Sequence, residues 1–159
     1  MPEGSHEYAF ETLPADITLD NRFIEKIRVR ASLEKASAQL LLRAAIEATA
    51  RFACDRCLDE YETMLATTYT MMYVVDERSM DGVRDEDELR VLSADTNYID
   101  LDDDVRQFIL LTVPQKLLCN ENCLGICSVC GGNKNHTPCE CSTQEIDSRW
   151  EALKKLTHN

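Results

Sequence analysis

Apolar and polar residues alternate along the first third of the chain, and this pattern predicts β-strands. The odd positions from 27 to 33 are all apolar, whereas arginine or serine stands between them. A period of two places alternate side chains on opposite faces, so residues 27–33 are expected to form a half-buried strand. Residues 1–24 show no sustained period and predict one short strand, near Tyr8–Leu13.

A second alternating stretch, residues 40–54, leads directly into the first pair of cysteines. Its even positions carry leucine, alanine, isoleucine, phenylalanine and cysteine, and its odd positions include arginine, glutamate and threonine. We interpret it as a strand, and its alanine and leucine content leaves a helix over 38–52 as the alternative. Residues 63–75 are rich in threonine, tyrosine, methionine and valine and predict the next strand. Together the two strands predict a hairpin joined through residues 54–60.

Residues 76–104 predict an acidic loop that contains one short strand at 89–92, followed by a helix near 102–112. Apolar residues recur at helical spacing through the helix, and a proline follows at position 114. Three consecutive aspartates occupy its first turn, where the positive end of the helix dipole favours carboxylates.

Residues 119–141 hold six cysteines and few apolar side chains, so metal ligation is expected to order them in place of a hydrophobic core. Residues 147–156 predict a short helix. The expected fold class is α+β, with an antiparallel β-sheet or hairpin body, one central helix, a C-terminal cysteine-rich zinc-ribbon-like module and a short C-terminal helix. The expected parts are a β-rich body (1–118) and a zinc-binding module with the C-terminal helix (119–159), packed as one unit.

Charge is spread unevenly along the chain and narrows the choice of partner. The net charge is −12, and residues 76–104 alone hold 12 acidic and 3 basic residues. This segment is interpreted either as a solvated loop or as a patch that attracts a basic partner such as a ribosomal protein. Extensive contact with RNA phosphates is disfavoured for so acidic a chain. Lys26, Arg28 and Arg30 form the one local basic stretch to test for rRNA contact.

The chain has no stretch that predicts export or membrane insertion. It contains no apolar run of about 18 residues, as a spanning helix would need. Its N-terminus has neither a basic segment nor an apolar one, so it does not predict a secretory signal. A cytoplasmic, thiol-reducing location is expected, in which cysteine pairs favour metal binding over disulfides.

The eight cysteines fall into four close pairs, and two such pairs readily build one tetrahedral metal site. Four pairs therefore predict two four-thiolate zinc sites, with one filled site as the alternative. The metal ligands proposed from the sequence are Cys54, Cys57, Cys119, Cys123, Cys127, Cys130, Cys139 and Cys141.

The pairs can be combined in three ways. We prefer Cys127, Cys130, Cys139 and Cys141 as one compact site, because closing so short a loop costs little entropy. The other four cysteines would then form a long-range site. The runner-up couples 54/57 with 127/130, and His136 is an alternative ligand for the C-terminal site.

No catalytic constellation accompanies the cysteines. Four protein thiolates leave no coordination position for a bound water, so such sites are structural. The sequence lacks a phosphate-binding glycine-rich loop and a His-Glu-x-x-His helix. The sequence therefore predicts a protein that is not an enzyme. An iron–sulfur cluster, which could use the same ligands, is the alternative to zinc.

The order of several motifs resembles one known family. The chain contains Cys54-Asp-Arg-Cys57-Leu, Ile99-Asp100-Leu101, Cys123-Leu-Gly-Ile-Cys127-Ser-Val-Cys130-Gly-Gly-Asn133-Lys-Asn135 and Cys139-Glu-Cys141, with Asp147-Ser-Arg149-Trp near its end. Over residues 25–156 this is similar to the YceD family, the large ribosomal RNA subunit accumulation proteins. Ser128 and Ser148 stand where the family pattern would have proline.

The resemblance implies a non-enzymatic ribosome-biogenesis factor that supports accumulation of large-subunit ribosomal RNA. Its expected partner is a ribosomal protein or an rRNA-processing factor of the large subunit. A thiol-redox or zinc-storage protein that uses the cysteine pairs is the alternative, and a zinc-dependent hydrolase is a third hypothesis.

Overall fold

The computed structural model describes residues 2–37, 39–74, 89–93, 95–141 and 149. Within them one five-stranded sheet has the order β1-β2-β3-β4-β5, so neighbours in sequence are neighbours in the sheet. One helix follows the last strand. The elements are β1 Gly4–Thr12, β2 Ile27–Ala36, β3 Gln39–Ala53, β4 Glu60–Val74, β5 Leu89–Val91 and α1 Asp102–Thr112. The α+β class predicted from the sequence is confirmed.

The alternating stretches form the central strands, β2 and β3. Ile27 and Val29 on β2 are buried, and so are Ile46 and Ala48 on β3, whereas their neighbours along the chain are more exposed. The two strands are antiparallel, with Val29 opposite Ile46, so the apolar side chains of both lie on one face. The alternative of an alanine-rich helix over 38–52 is wrong, because a helix would not bury every second residue.

The strand β4 follows β3 as the predicted hairpin. Six residues connect Ala53 to Glu60, and a connection this short joins antiparallel neighbours, because parallel pairing needs a dozen or more residues. Leu65, Tyr69 and Tyr73 of β4 are buried in alternation with exposed residues. Residues 54–59 therefore form the tip of the hairpin.

The strand β1 starts earlier and is longer than predicted. It pairs antiparallel with β2 along its length, from Gly4 opposite Lys35 to Thr12 opposite Ile27. As the edge of the sheet it leaves most residues exposed on both faces, including Tyr8 and Phe10. An edge strand of this kind lacks the alternation from which a strand is predicted, so its bounds come from pairing with β2.

The sheet is mixed, which corrects the prediction of an antiparallel body. The short strand predicted at 89–92 occurs as β5, but it runs parallel to β4, with Met72 opposite Leu89 and Val74 opposite Val91. Fourteen residues separate Val74 from Leu89, and parallel strands need a connection of a dozen or more. A strand of three residues carries too little pattern for its direction to be predicted.

The helix α1 begins and ends where the sequence predicted. Val105 and Ile109 are buried, and the ring of Phe108 stacks on Tyr69 with 4.4 Å between centroids. The three aspartates lie in the first turn, but Asp104 is buried and accepts a hydrogen bond from Arg90 of β5. This ion pair fixes β5 to the start of the helix.

The chain divides into two compact units. One comprises residues 1–52 and 61–116, and the other comprises residues 53–60 and 117–159. The hairpin tip thus belongs to the unit that contains all eight cysteines. The boundary predicted after residue 118 stays a prediction.

Two predicted features fall on residues outside the described ranges. They are the acidic stretch 76–88 and, apart from Arg149, the C-terminal helix over 147–156. Across the described residues, no helix is long and apolar enough to cross a membrane.

We expect Ile109→Ala to lower the free energy of unfolding by about 2–5 kcal/mol, because it leaves a cavity under the helix. Leu111→Ala is the matched control, since Leu111 is on the same helix and is 78% exposed. Its effect should stay within about 0.5 kcal/mol. Urea unfolding of both variants measures the difference, and equal losses would contradict the placement of the helix.

Candidate metal centres

The eight cysteines lie in two groups of four, each of which could hold one metal ion. In each group the four sulfur atoms are within 4.8 Å of one another. These groups match the partition preferred from the spacing. Cluster 1 consists of Cys54, Cys57, Cys119 and Cys123, and cluster 2 consists of Cys127, Cys130, Cys139 and Cys141.

The sulfur–sulfur distances in cluster 1 fit a tetrahedral ion. The Sγ atoms of Cys54 and Cys123 are 3.8 Å apart, and those of Cys57 and Cys119 are 3.6 Å apart. Four sulfurs at about 2.3 Å from a central zinc would be separated by about 3.8 Å. A disulfide would require about 2.05 Å, and all eight cysteines are free thiols. The donor set therefore fits zinc.

The hairpin tip presents the first two thiols of cluster 1. The N–H of Cys54 donates to the carbonyl of Asp59 at 2.9 Å, and the N–H of Leu58 donates to the carbonyl of Cys54 at 2.9 Å. Leu58 takes a left-handed conformation with φ of 65°, which tightens the turn. Cys54 and Cys57 are both buried, so the turn directs their thiols inward.

The segment before Cys119 is held against the hairpin tip by paired hydrogen bonds. The N–H of Asp55 donates to the carbonyl of Leu117 at 2.8 Å, and the N–H of Leu117 donates to Oδ2 of Asp55 at 2.7 Å. The guanidinium of Arg56 donates to the carbonyl of Cys123 at 2.9 Å. Residues 55 and 56 thus bring two distant cysteine pairs together, although neither supplies a thiol.

A close backbone contact continues this arrangement beyond Cys123. The N–H of Ile126 donates to the carbonyl of Arg56 at 3.0 Å. Gly125, which precedes Ile126, has a φ of +71°. A β-carbon at this position would be 3.0 Å from the Arg56 carbonyl oxygen. Glycine is needed here for both its conformation and its size.

Cluster 2 is built on a second tight turn and is more exposed. The N–H of Cys127 donates to the carbonyl of Gly132, and the N–H of Gly131 donates to the carbonyl of Cys127. Cys127 is buried, but Cys130 and Cys141 are exposed. Since three of the four cysteines in cluster 1 are buried, the two clusters differ in their access to solvent.

The loop between Cys130 and Cys139 supplies polar groups to cluster 1. Asn135 donates from Nδ2 to the sulfur of Cys123 at 3.3 Å, and its Oδ1 accepts from the N–H of Leu124. Asn133 donates to Oδ2 of Asp59 at 2.7 Å. Hydrogen bonds of this kind orient metal-binding thiolates and stabilise their charge. No role was predicted for these two asparagines from the sequence, although both lie in the Gly-Gly-Asn-Lys-Asn run.

His136 lies outside both four-sulfur groups. Its Nε2 is 2.9 Å from Oδ2 of Asp59, which also accepts from Asn133. The pKa of the Asp59 carboxyl is lowered, first by the hydrogen bond from His136. The histidine that the sequence offered as an alternative ligand of the C-terminal site therefore contacts the hairpin tip.

Backbone N–H groups lower the pKa of a thiol in each cluster. Burial opposes ionisation of Cys54, but the backbone N–H groups of Cys119, Arg56 and Cys57 outweigh it and lower its pKa to about 6. The backbone N–H groups of Cys130 and Val129 lower the pKa of Cys127 to about 6 as well. A thiolate, not a thiol, is the form that binds metal, so the lowered pKa values of Cys54 and Cys127 favour metal binding.

The basic residues proposed for rRNA contact lie on the other unit, and each faces a glutamate. Lys26 is 3.2 Å from Glu11, Arg30 is 2.7 Å from Glu47, and Arg28 is 3.9 Å from Glu11 and 3.8 Å from Glu47. These side chains are exposed on the outer face of the sheet. Neutralisation by glutamate weakens the positive potential that a phosphate backbone would require.

Comparison with known proteins gives one family and several relatives. A family model described as "Large ribosomal RNA subunit accumulation protein YceD" matches residues 42–157. Uncharacterized proteins of Mycobacterium tuberculosis (strain ATCC 25618 / H37Rv) and of Mycobacterium bovis are each 25% identical over 124 residues, which covers 78% of this chain. The "Large ribosomal RNA subunit accumulation protein YCED homolog 1, chloroplastic" of Zea mays is 36% identical over 72 residues, or 43% of this chain.

The matched regions cover only part of these relatives. The chain spans 58% of the length of each mycobacterial protein and 24% of the maize protein. No solved structure matches the chain.

We expect Gly125→Ala to destabilise the protein more than Gly131→Ala. Both glycines have φ near +70°, and any other residue in this conformation costs about 1–2 kcal/mol. A β-carbon at residue 125 must also displace the Arg56 carbonyl, whereas one at residue 131 meets nothing within 4 Å. Urea unfolding of both variants measures the difference, and similar losses would show that the contact with Arg56 is unimportant.

Proposed function

Because the chain belongs to the YceD family of large ribosomal RNA subunit accumulation proteins, we propose that it is a ribosome-biogenesis factor without catalytic activity. It would support the accumulation or processing of large-subunit rRNA through contacts with other assembly components. The family match over residues 42–157 carries this proposal, and it includes all eight cysteines. The residues that build the clusters therefore lie within the region shared with the family.

Each cluster is proposed to bind one zinc ion. Four thiols converge in each cluster, and the distances in cluster 1 fit the sulfur positions of a zinc tetrathiolate. With four protein ligands no coordination position is left for water or substrate, which supports a structural role. A bound zinc would add folding free energy of order 10 kcal/mol to a unit with few apolar residues.

The acidic composition supports a protein partner rather than a long RNA contact. The net charge is −12, and the basic side chains at 26, 28 and 30 are each close to a glutamate. A ribosomal protein or an rRNA-processing factor of the large subunit is the proposed partner. We propose the cytoplasm as the place where this protein acts. For the chloroplastic relative the corresponding place would be the plastid.

A thiol-redox or zinc-storage role has less support. Cysteines that react readily are accessible to solvent, and in cluster 1 Cys54, Cys57 and Cys123 are each at most 5% exposed. The exposed thiols of Cys119, Cys130 and Cys141 are the ones that such a role would use. Rapid labelling of the native protein by a thiol reagent would favour this alternative.

Protein purified without chelator should contain two zinc ions per chain, measured by elemental analysis against protein concentration. Cys54→Ser should remove one ion, because it takes one ligand from cluster 1. Cys127→Ser and Cys139→Ser should each remove the other ion, and combining them should remove no more than either alone. Ser128→Ala is the control, since it leaves all eight thiols in place.

Two results would contradict the assignment. If Cys127→Ser and Cys139→Ser removed different ions, the cysteines would be partitioned in another way. If the wild-type protein held iron or no metal, zinc would be the wrong ion.

Depletion of the protein in the organism that encodes it should lower the ratio of large-subunit to small-subunit rRNA, measured by rRNA profiling. Re-expression of the wild-type chain should restore the ratio. The Cys54→Ser, Cys57→Ser double variant should restore it less well, because cluster 1 would lose its metal ion. An unchanged ratio after depletion would overturn the proposed function.

A further inference from the structure

A cavity lined mainly by apolar residues lies in the sheet unit, and no cysteine lines it. It has a volume of about 740 Å³ and is bounded by β1–β3 and by residues 92–102. Tyr8, Phe10 and Leu42 line it from the strands, and Tyr98 and Leu101 line it from the segment before α1. We call it the β1 cavity. Its volume is within the range of about 300–1,000 Å³ that is typical of binding pockets.

The aromatic side chains around the β1 cavity are incompletely covered. Tyr8 is 48% exposed, Phe10 is 40% exposed and Tyr98 is 78% exposed. Tyr8 and Phe10 lie opposite Ala31 and Val29 of β2, so they extend the apolar face of the sheet to its edge. Exposed aromatic residues that surround an apolar cavity are typical of an interaction site.

Carboxylates outnumber cations at the rim of the β1 cavity. Asp100 and Asp102 line the cavity together with Lys35, and neither aspartate forms a salt bridge with another described residue. Oδ1 of Asp100 accepts from the N–H of Asp102, which leaves the other oxygen of the carboxylate available. By contrast, Glu11 and Glu47 on the outer face already have basic partners.

We propose that the β1 cavity is the docking site for a basic segment of a protein partner, which inserts one apolar side chain between Tyr8 and Tyr98. Its flanking lysines or arginines would pair with Asp100 and Asp102. This inference rests on the proposed function, because it names the chemistry of the partner that an assembly factor of this family would bind.

Charge complementarity favours this occupant over the alternatives. An RNA strand would bring phosphates to a rim that carries carboxylates, and like charges repel. A second copy of this chain would bring a net charge of −12 to the same rim. A basic peptide meets neither obstacle.

The test uses a short fluorescein-labelled peptide in which lysines flank one central phenylalanine, with binding to the full chain measured by anisotropy. Tyr98→Ala should weaken binding about fivefold or more, as loss of an aromatic residue at an interface does. Asp100→Asn keeps the oxygen that accepts from Asp102 and removes the charge, so it should weaken binding about two- to fivefold. Added salt should reduce the effect of Asp100→Asn.

Matched controls separate the site from general charge and hydrophobicity. Met64→Ala removes an apolar side chain that is 66% exposed and does not line the cavity, and Asp16→Asn removes one charge elsewhere on the same unit. Neither should change the affinity. Replacing the central phenylalanine of the peptide by alanine, or its lysines by glutamate, should abolish binding.

Three outcomes would overturn the proposal. They are equal effects of Tyr98→Ala and Met64→Ala, tighter binding of labelled oligouridylate at the same residues, and a dimer that Tyr98→Ala dissociates. Peptide binding is measured on the purified protein, so its failure is distinguishable from failure of the rRNA experiment. If the peptide binds as expected but depletion leaves the rRNA ratio unchanged, the proposed cellular role is rejected and the proposed docking site is retained.

Discussion

The convergence of two distant cysteine pairs at the tip of one hairpin is the constraint on which the cysteine-rich unit depends. Cys54 and Cys57 lie in the turn that joins β3 to β4, whereas Cys119 and Cys123 follow more than sixty residues later. The hydrogen bonds of Asp55 with Leu117 join the two segments. With so few apolar residues in this unit, the contact among four thiols and the backbone bonds around it replace a core.

The loop of cluster 2 also serves cluster 1. Asn135 contacts the sulfur of Cys123, and Asn133 and His136 contact Asp59 beside the hairpin tip. The segment that closes the local cluster thus completes the surroundings of the long-range one. Order in one cluster therefore favours order in the other, because both depend on the position of the same loop.

Much of the fold could be predicted from local patterns, and the failures have a common physical cause. The alternation that β2 and β3 show, and the helical spacing in α1, reflect which face each element buries, so they are visible in the sequence. The bounds of β1 were predicted only in part because both faces of this strand are largely exposed. The direction of β5 was not predicted because three residues carry no information about the strand with which they pair.

The sequence by itself determined the strands that bury one face, the helix, the four cysteine pairs and the excess of negative charge. These features depend on neighbouring residues, and spacing with loop entropy was enough to favour one partition of the cysteines. Only the tertiary structure decided that Asp55 and Arg56 join the halves of cluster 1, that Asn135 contacts a thiol, and that an open apolar cavity borders β1. Such contacts join residues far apart in the chain, so no local pattern encodes them.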